Sequence, residues 1–193
     1  MHRHGYQGRK LHRERGLPVG GIDLLPIVET GKGLAAVNEI ARAGTRVKRL
    51  SFGAGDFTLD MNLVWSREET ELLAYRSAMV LASRAAGLEA PIDTVWVRLQ
   101  DPEGFAASAA HVRALGFQGK LCIHPDQVAV ANAAFSPSAE QVAWARRVVE
   151  AFQAAEESGS ASIQLDGQFI DYPIVYQAQR VLDADARIAA NRA

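Results

Sequence analysis

Two acidic residues stand where chemistry is easiest to build. Glu29 closes the apolar run 22–28, and Asp56 follows closely on the run 47–52. A carboxylate at the C-terminal tip of a buried strand lies at the sheet edge where α/β proteins bind their ligands. The two are 27 residues apart, the length of one strand–helix unit, so their strands should be neighbours in the sheet. Carboxylates on adjacent strand tips can hold a divalent ion. Magnesium takes one or two protein carboxylates and leaves its other positions to water and substrate oxygens. Acidic residues at such tips can equally do no more than cap the helices that follow.

Other residues at turning points invite the same question. His124-Pro125 stops the apolar run 121–123, because proline has no ladder N–H and restricts the residue before it. His124 is thereby placed at a strand tip, to line a ligand channel or to stack on Pro125. Lys120 sits at the opposite end of that run and cannot share a site with it. Gly53 and Ala54 are small enough for a ligand to approach the backbone. Asp171, two residues before Pro173, is positioned to cap the last helix. Cys122 is the single cysteine; it excludes an intramolecular disulfide and is expected in the buried fourth strand. Gly31-Lys32-Gly33 lacks the spacing of a nucleotide loop. The three tryptophans share no spacing and read as packing residues.

Strand and helix alternate along the chain to position these groups. Strands are expected at 22–28, 47–52, 91–99 and 121–123. A helix over 34–43 closes at Gly44, a loop spans 53–60, and a long helix runs from a cap at Ser66 to about Ala86. Asp101-Pro102 opens a helix through Leu115. After the fourth strand come a short helix, a long one over 138–157, a hairpin turning at Asp166-Gly167, and a last helix over 173–188. Four strand–helix repeats argue for a parallel sheet with right-handed crossovers. They amount to half of a (β/α)8 barrel, which takes ~250 residues when complete.

Composition narrows the function classes. A hydrophobic share of 48%, 22% charged residues and a net charge of −1 describe an ordinary globular chain with no global pull toward nucleic acid or anionic membrane. No apolar run approaches the ~20 residues of a membrane span, no secretory signal is legible, and the lone thiol suits the cytoplasm. Residues 1–19 differ from the rest: five Lys or Arg and three His fall within the first sixteen positions. They read either as a basic arm for phosphates or nucleic acid or as a poorly defined leader. His2 and His4 have too few companions to hold a metal.

Several stretches also resemble a known family. GFQGKLCIHPDQ (116–127), followed by Asn132 and FSPS (135–138), is similar to the signature of the citrate lyase beta-subunit-like CoA-ester lyases, within the wider HpcH/HpaI aldolase superfamily. LLPIVETGKG (24–33), LSFGAGDFTLD (50–60) and LDGQFIDYP (165–173) resemble three further family motifs in the family's order. The resemblance covers roughly 22–183. It implies that the chain is the C-terminal half of a TIM-type barrel, the fifth to eighth strands, with a C-terminal helical extension. On that reading 1–19 is a leader, 20–135 the partial barrel and 136–193 the extension with a lid hairpin. The family's first four strands, including its substrate-binding arginine, have no counterpart, which leaves the activity of the chain alone in doubt.

The resemblance further implies Mg²⁺ held by Glu29 and Asp56, although Gly55 stands where many members carry an acidic residue. It implies a CoA thioester such as malyl-CoA, citramalyl-CoA or citryl-CoA as substrate, cleaved at a carbon–carbon bond. Asp171 would be the acid/base residue, reaching the site of a neighbouring subunit, commonly in a trimer. Gly53, Ala54 and His124 would line the substrate and CoA path. The expected partners are further copies of the chain or a complementing N-terminal half. A non-catalytic or assembly subunit of the same fold is the alternative, favoured by the missing arginine, and a phosphate or nucleic-acid binder working through the basic N-terminus is the third reading.

Overall fold

The structure, a computed structural model, describes residues 15–16, 18, 21–44 and 46–191. Most of the basic leader, with His2 and His4, lies outside the described residues, and so does the phosphate- or nucleic-acid-binding role read into it. By internal contacts the chain divides into two compact units, one ending at Ala131 and the other beginning at Asn132.

The first unit is built on four short parallel strands: β1 (Ile27–Val28), β2 (Ser51–Phe52), β3 (Ile92–Asp93) and β4 (Gly119–Lys120). They pair in the order β1-β2-β3-β4, each parallel to the next, and a bridge between Leu24 and Val47 extends the first pair. Helices α1 (Gly31–Ala35) and α2 (Val37–Arg42) follow β1. Helix α3 (Ala54–Asp60) follows β2, and after a 3-10 turn at Thr70–Leu72 comes α4 (Leu73–Ala85). Helix α5 (Pro102–Leu115) links β3 to β4, and α6 (Pro125–Phe135) comes next. The expected α/β alternation is present.

Pairing in register sorts the side chains. Ile27, Ser51, Ile92 and Gly119 share one face of the sheet, and Val28, Phe52, Asp93 and Lys120 share the other. The second face is buried throughout. Phe52 packs edge-on against Phe57 of α3, which packs in turn against Tyr75 of α4, at ring separations of 5.3 and 4.7 Å. Asp101 caps α5 by accepting the Gly104 N–H at 2.9 Å, and Gly116, at φ +105°, ends it because a left-handed residue there favours glycine.

The second unit holds α7 (Ala139–Glu157), a hairpin of β5 (Ile163–Leu165) and β6 (Gln168–Ile170), and α8 (Tyr172–Ala190). Ser138 and Gln141 close α7 with a reciprocal capping box. Asp166 and Gly167 turn the hairpin at φ +51° and +79°, the pair of positive angles that an Asp-Gly turn supplies. Ala145, Val148, Phe152, Ile170 and Ala178 form the core between its helices and hairpin.

Several local expectations are corrected: the strand expected over 91–99 pairs only at Ile92–Asp93, and the long helix expected from Ser66 begins at Leu73. The stretch expected as a loop over 53–60 is instead helix α3, despite glycines at 53 and 55. Burial of Phe57 and Thr58 outweighs the poor local propensity. The helix expected over 34–43 breaks at Ala36 into α1 and α2. The fourth strand lies at Gly119–Lys120 rather than 121–123, so Cys122 is exposed and not a core residue.

That shift has a physical cause: β4 pairs where Lys120 meets a charge. Lys120 Nζ donates to Asp93 Oδ2 at 2.6 Å. Arg76 of α4 grips the same carboxylate in bidentate fashion at 2.9 and 3.0 Å and also donates to Glu69 at 2.9 Å. Ser108 and Trp65 donate to Glu69 as well, at 2.6 and 3.1 Å. Arg76, Asp93, Glu69 and Lys120 are all buried. The sequence reading gave none of them this role; the legible signals were a lysine beside an apolar run and an arginine inside a helix otherwise rich in alanine and leucine.

Candidate functional site

The register of β1 and β2 decides what meets at their C-terminal ends. Val28 pairs with Phe52, and the Gly53 N–H donates to the Val28 carbonyl at 3.0 Å. Glu29 and Gly53 therefore emerge side by side. A Cβ added to Gly53 would lie 2.7 Å from Glu29 Cβ and 2.8 Å from Ile27 Cγ2. Both distances are too short for a side chain, so glycine is what allows Glu29 to cross over the start of α3. Asp56 occupies the first turn of that helix, where a carboxylate is favoured by the positive end of the peptide dipoles.

The two carboxyl groups are close enough to act on each other. Partial burial, then the charge of Asp56 and a hydrogen bond with it, push the Glu29 carboxyl above the usual carboxylate range. Two acids sharing one place resist double ionisation unless a cation joins them. None of the ion pairs of the described residues includes either one. Among the described residues no cluster of three or more His, Cys, Asp and Glu could hold a metal. A pair of carboxylates without a lysine or arginine partner among the described residues, at an accessible sheet edge, nevertheless fits Mg²⁺, whose remaining positions are filled by water and substrate.

The remaining candidates are distributed elsewhere. Ala54 is fully buried, and its N–H is taken by Thr94 Oγ1 at 2.9 Å, so it anchors α3 rather than offering a donor to a ligand. Thr94 was not singled out in the sequence; a threonine directly after Asp93 gives little signal of such a contact. His124 accepts the Asp126 N–H at Nδ1, 3.3 Å away. It lines a small cleft with Trp96, Arg98, Phe105 and Gln127 that includes neither Glu29 nor Asp56. Asp171 stands at the N-cap position of α8 in the second unit, without a side-chain capping bond. Desolvation pushes the Cys122 thiol up, which disfavours the nucleophilic thiolate.

Comparison with known proteins bears on this arrangement. Residues 7–125 match the HpcH/HpaI aldolase/citrate lyase family. The chain belongs to this family. It is 36% identical over 170 residues to the citrate lyase subunit beta of Leuconostoc mesenteroides subsp. cremoris, covering 88% of this chain and 56% of that protein. It is 33% identical over 184 residues to the mitochondrial citramalyl-CoA lyase of Homo sapiens, covering 91% and 52%. Among solved structures, CitE from Mycobacterium tuberculosis in complex with magnesium, acetoacetate and coenzyme A superposes with a TM-score of 0.72 at 31% identity, over 86% of this chain and 62% of that one. The chain thus spans somewhat more than half the length of the curated relatives it matches. No described helix is long and apolar enough to cross a membrane.

Proposed function

We propose that the chain carries the metal-binding part of a CoA-ester carbon–carbon lyase, with Glu29 and Asp56 as the protein ligands of Mg²⁺. The observation that carries the reading is that these two carboxyls, one directly after β1 and the other in the helix directly after β2, interact with each other, while no ion pair of the described residues includes either. On this reading the four strand–helix units are the second half of a (β/α)8 barrel, whose C-terminal strand ends hold the site. The magnesium, acetoacetate and coenzyme A in the CitE complex support the same ligand classes here.

When bound, Mg²⁺ would supply electrostatic stabilisation for the oxygens of a cleaving hydroxyacyl-CoA. The residues of the chain do the rest. Glu29 and Asp56 set the position of the cation, and Gly53 leaves room for the Glu29 side chain. Asp171, uncommitted as a cap, is the acid/base group that accepts the substrate hydroxyl proton, contributed across a boundary between copies in a homo-oligomer. Gly53 and His124 belong to the substrate and CoA path. The substrate carboxylate needs a guanidinium clamp, which a complementing segment resembling the family's first four strands supplies.

The test is reconstitution. The chain alone, assayed with malyl-CoA, citramalyl-CoA or citryl-CoA and Mg²⁺, is expected at or near background. Mixed with the N-terminal half of a family member, it is expected to cleave one of them, and Asp56→Ala is expected to abolish the turnover. Turnover indifferent to Asp56→Ala sinks the assigned metal site.

A further inference from the structure

We infer that Asp60 is a positioning residue for the Glu29–Asp56 pair: its carboxylate ties the segment that follows Glu29 to the helix that carries Asp56. The inference rests on reading that pair as the metal site. Asp60 ends α3, one helical turn beyond Asp56 and so on the same side of the helix. Its Oδ2 accepts the N–H of Gly31 at 2.8 Å, across 29 residues of sequence.

Gly31 opens α1, two residues after Glu29. The first N–H groups of a helix have no partner within it. The cap residue Thr30 spends its hydroxyl on Gly33, at 3.0 Å, and the Gly31 N–H is satisfied by Asp60. The approach is close, since a Cβ on Gly31 would lie 2.5 Å from Met61 Sδ. The other end of α3 is held by Thr94, which accepts the Ala54 N–H at 2.9 Å. A helix of seven residues is too short to hold itself; burial of Phe57 and Thr58 holds its middle, and these two contacts hold the ends from which it presents Asp56. They matter because the carboxylates of Glu29 and Asp56 repel one another. Without Asp60, one tether between the Glu29 segment and α3 is lost, and a cation must then gather its two ligands at a greater entropic cost.

The test uses the full chain and Mn²⁺ as the probe, read by electron paramagnetic resonance. Asp60→Ala is expected to weaken Mn²⁺ binding about tenfold, the equivalent of one hydrogen bond to a charged acceptor. Asp60→Asn keeps an acceptor oxygen and is expected to bind close to the unaltered chain. Gly31→Pro deletes the donor instead. Proline suits a first helical position, and Thr30 at φ −141°, ψ 154° already has the conformation that precedes proline. Placed with Met61→Ala to make room, it should weaken binding as Asp60→Ala does, and combining the two should weaken it no further, because one bond is being removed twice.

In the metal-free chain, Asp60→Ala should speed hydrogen exchange at the Gly31 amide. Unchanged exchange there overturns the tether. Loss in Asp60→Asn equal to that in Asp60→Ala also overturns it, since Asp60 would then act by charge alone. If Glu29→Gln abolishes Mn²⁺ binding while Asp60→Ala leaves it intact, the positioning role fails and the metal site stands. If Glu29→Gln binds Mn²⁺ as the unaltered chain does, the metal reading fails, and positioning of a metal pair fails with it.

Discussion

The buried face of the sheet and its C-terminal edge carry acidic residues under opposite rules. On the buried face, Asp93 lies between Arg76 and Lys120, with Glu69 completing the set. Every one of those carboxylates has a cation. Beyond the ends of β1 and β2, Glu29 and Asp56 share no ion pair with any described cation and act on each other. The first arrangement is electrically closed and joins strands β3 and β4 to α4. The second is open and stable only to the extent that solvent, a proton or a cation relieves it. A chain that places like charges together at its accessible edge, while pairing opposite ones inside, separates binding from architecture.

The largest expected effect comes from breaking the closed cluster. Asp93→Ala leaves Arg76 and Lys120 buried without their shared carboxylate, and loss of one partner of a buried ion pair costs about 3–5 kcal/mol. Urea unfolding should show a large loss of stability or no folded state. A loss below ~1 kcal/mol, the range of an exposed ion pair, would mean that the cluster is no more architectural than the edge pair.

A smaller effect is expected where strand packing and site meet. Gly53→Ala forces a methyl group into Glu29 and Ile27, and overpacking of this kind costs about 1–3 kcal/mol. It should also displace Glu29 and weaken Mn²⁺ binding. Binding that is unchanged in a destabilised Gly53→Ala protein would separate the glycine from the site.

The smallest effect on stability is expected in the open pair, and its sign depends on pH. The Glu29 carboxyl is raised, so the folded chain holds its proton more tightly than the unfolded chain does. That contribution is full below the unfolded pKa and is lost as pH rises through the folded one. The melting temperature of the metal-free chain should therefore fall slightly as pH rises just above the ordinary glutamate range. Glu29→Gln should remove this step, and Mg²⁺ should reverse it. A melting temperature that rises over the same range would contradict a repelling pair.

Local sequence determined much of this molecule. The Asp101-Pro102 start and Gly116 stop of α5, the Ser138 cap of α7 and the Asp166-Gly167 turn each follow from backbone preferences that a few neighbouring residues set by themselves. The spacing of Glu29 and Asp56 likewise announced adjacent strands, because one strand–helix unit separates them. Tertiary structure decided the rest. Gly53–Asp60 has weak helical propensity and becomes a helix only because Phe57 is buried between Phe52 and Tyr75. The fourth strand settled on Gly119–Lys120 instead of the apolar 121–123, because Lys120 answers Asp93, 27 positions away, whose carboxylate Arg76 also holds. Hydrophobic pattern reports which side chains leave water, but the pairing of buried charges depends on partners brought together only by the sheet. The contacts from Thr94 to Ala54 and from Asp60 to Gly31 belong to the same class: each joins a side chain to a distant backbone N–H, for which sequence spacing carries no signal.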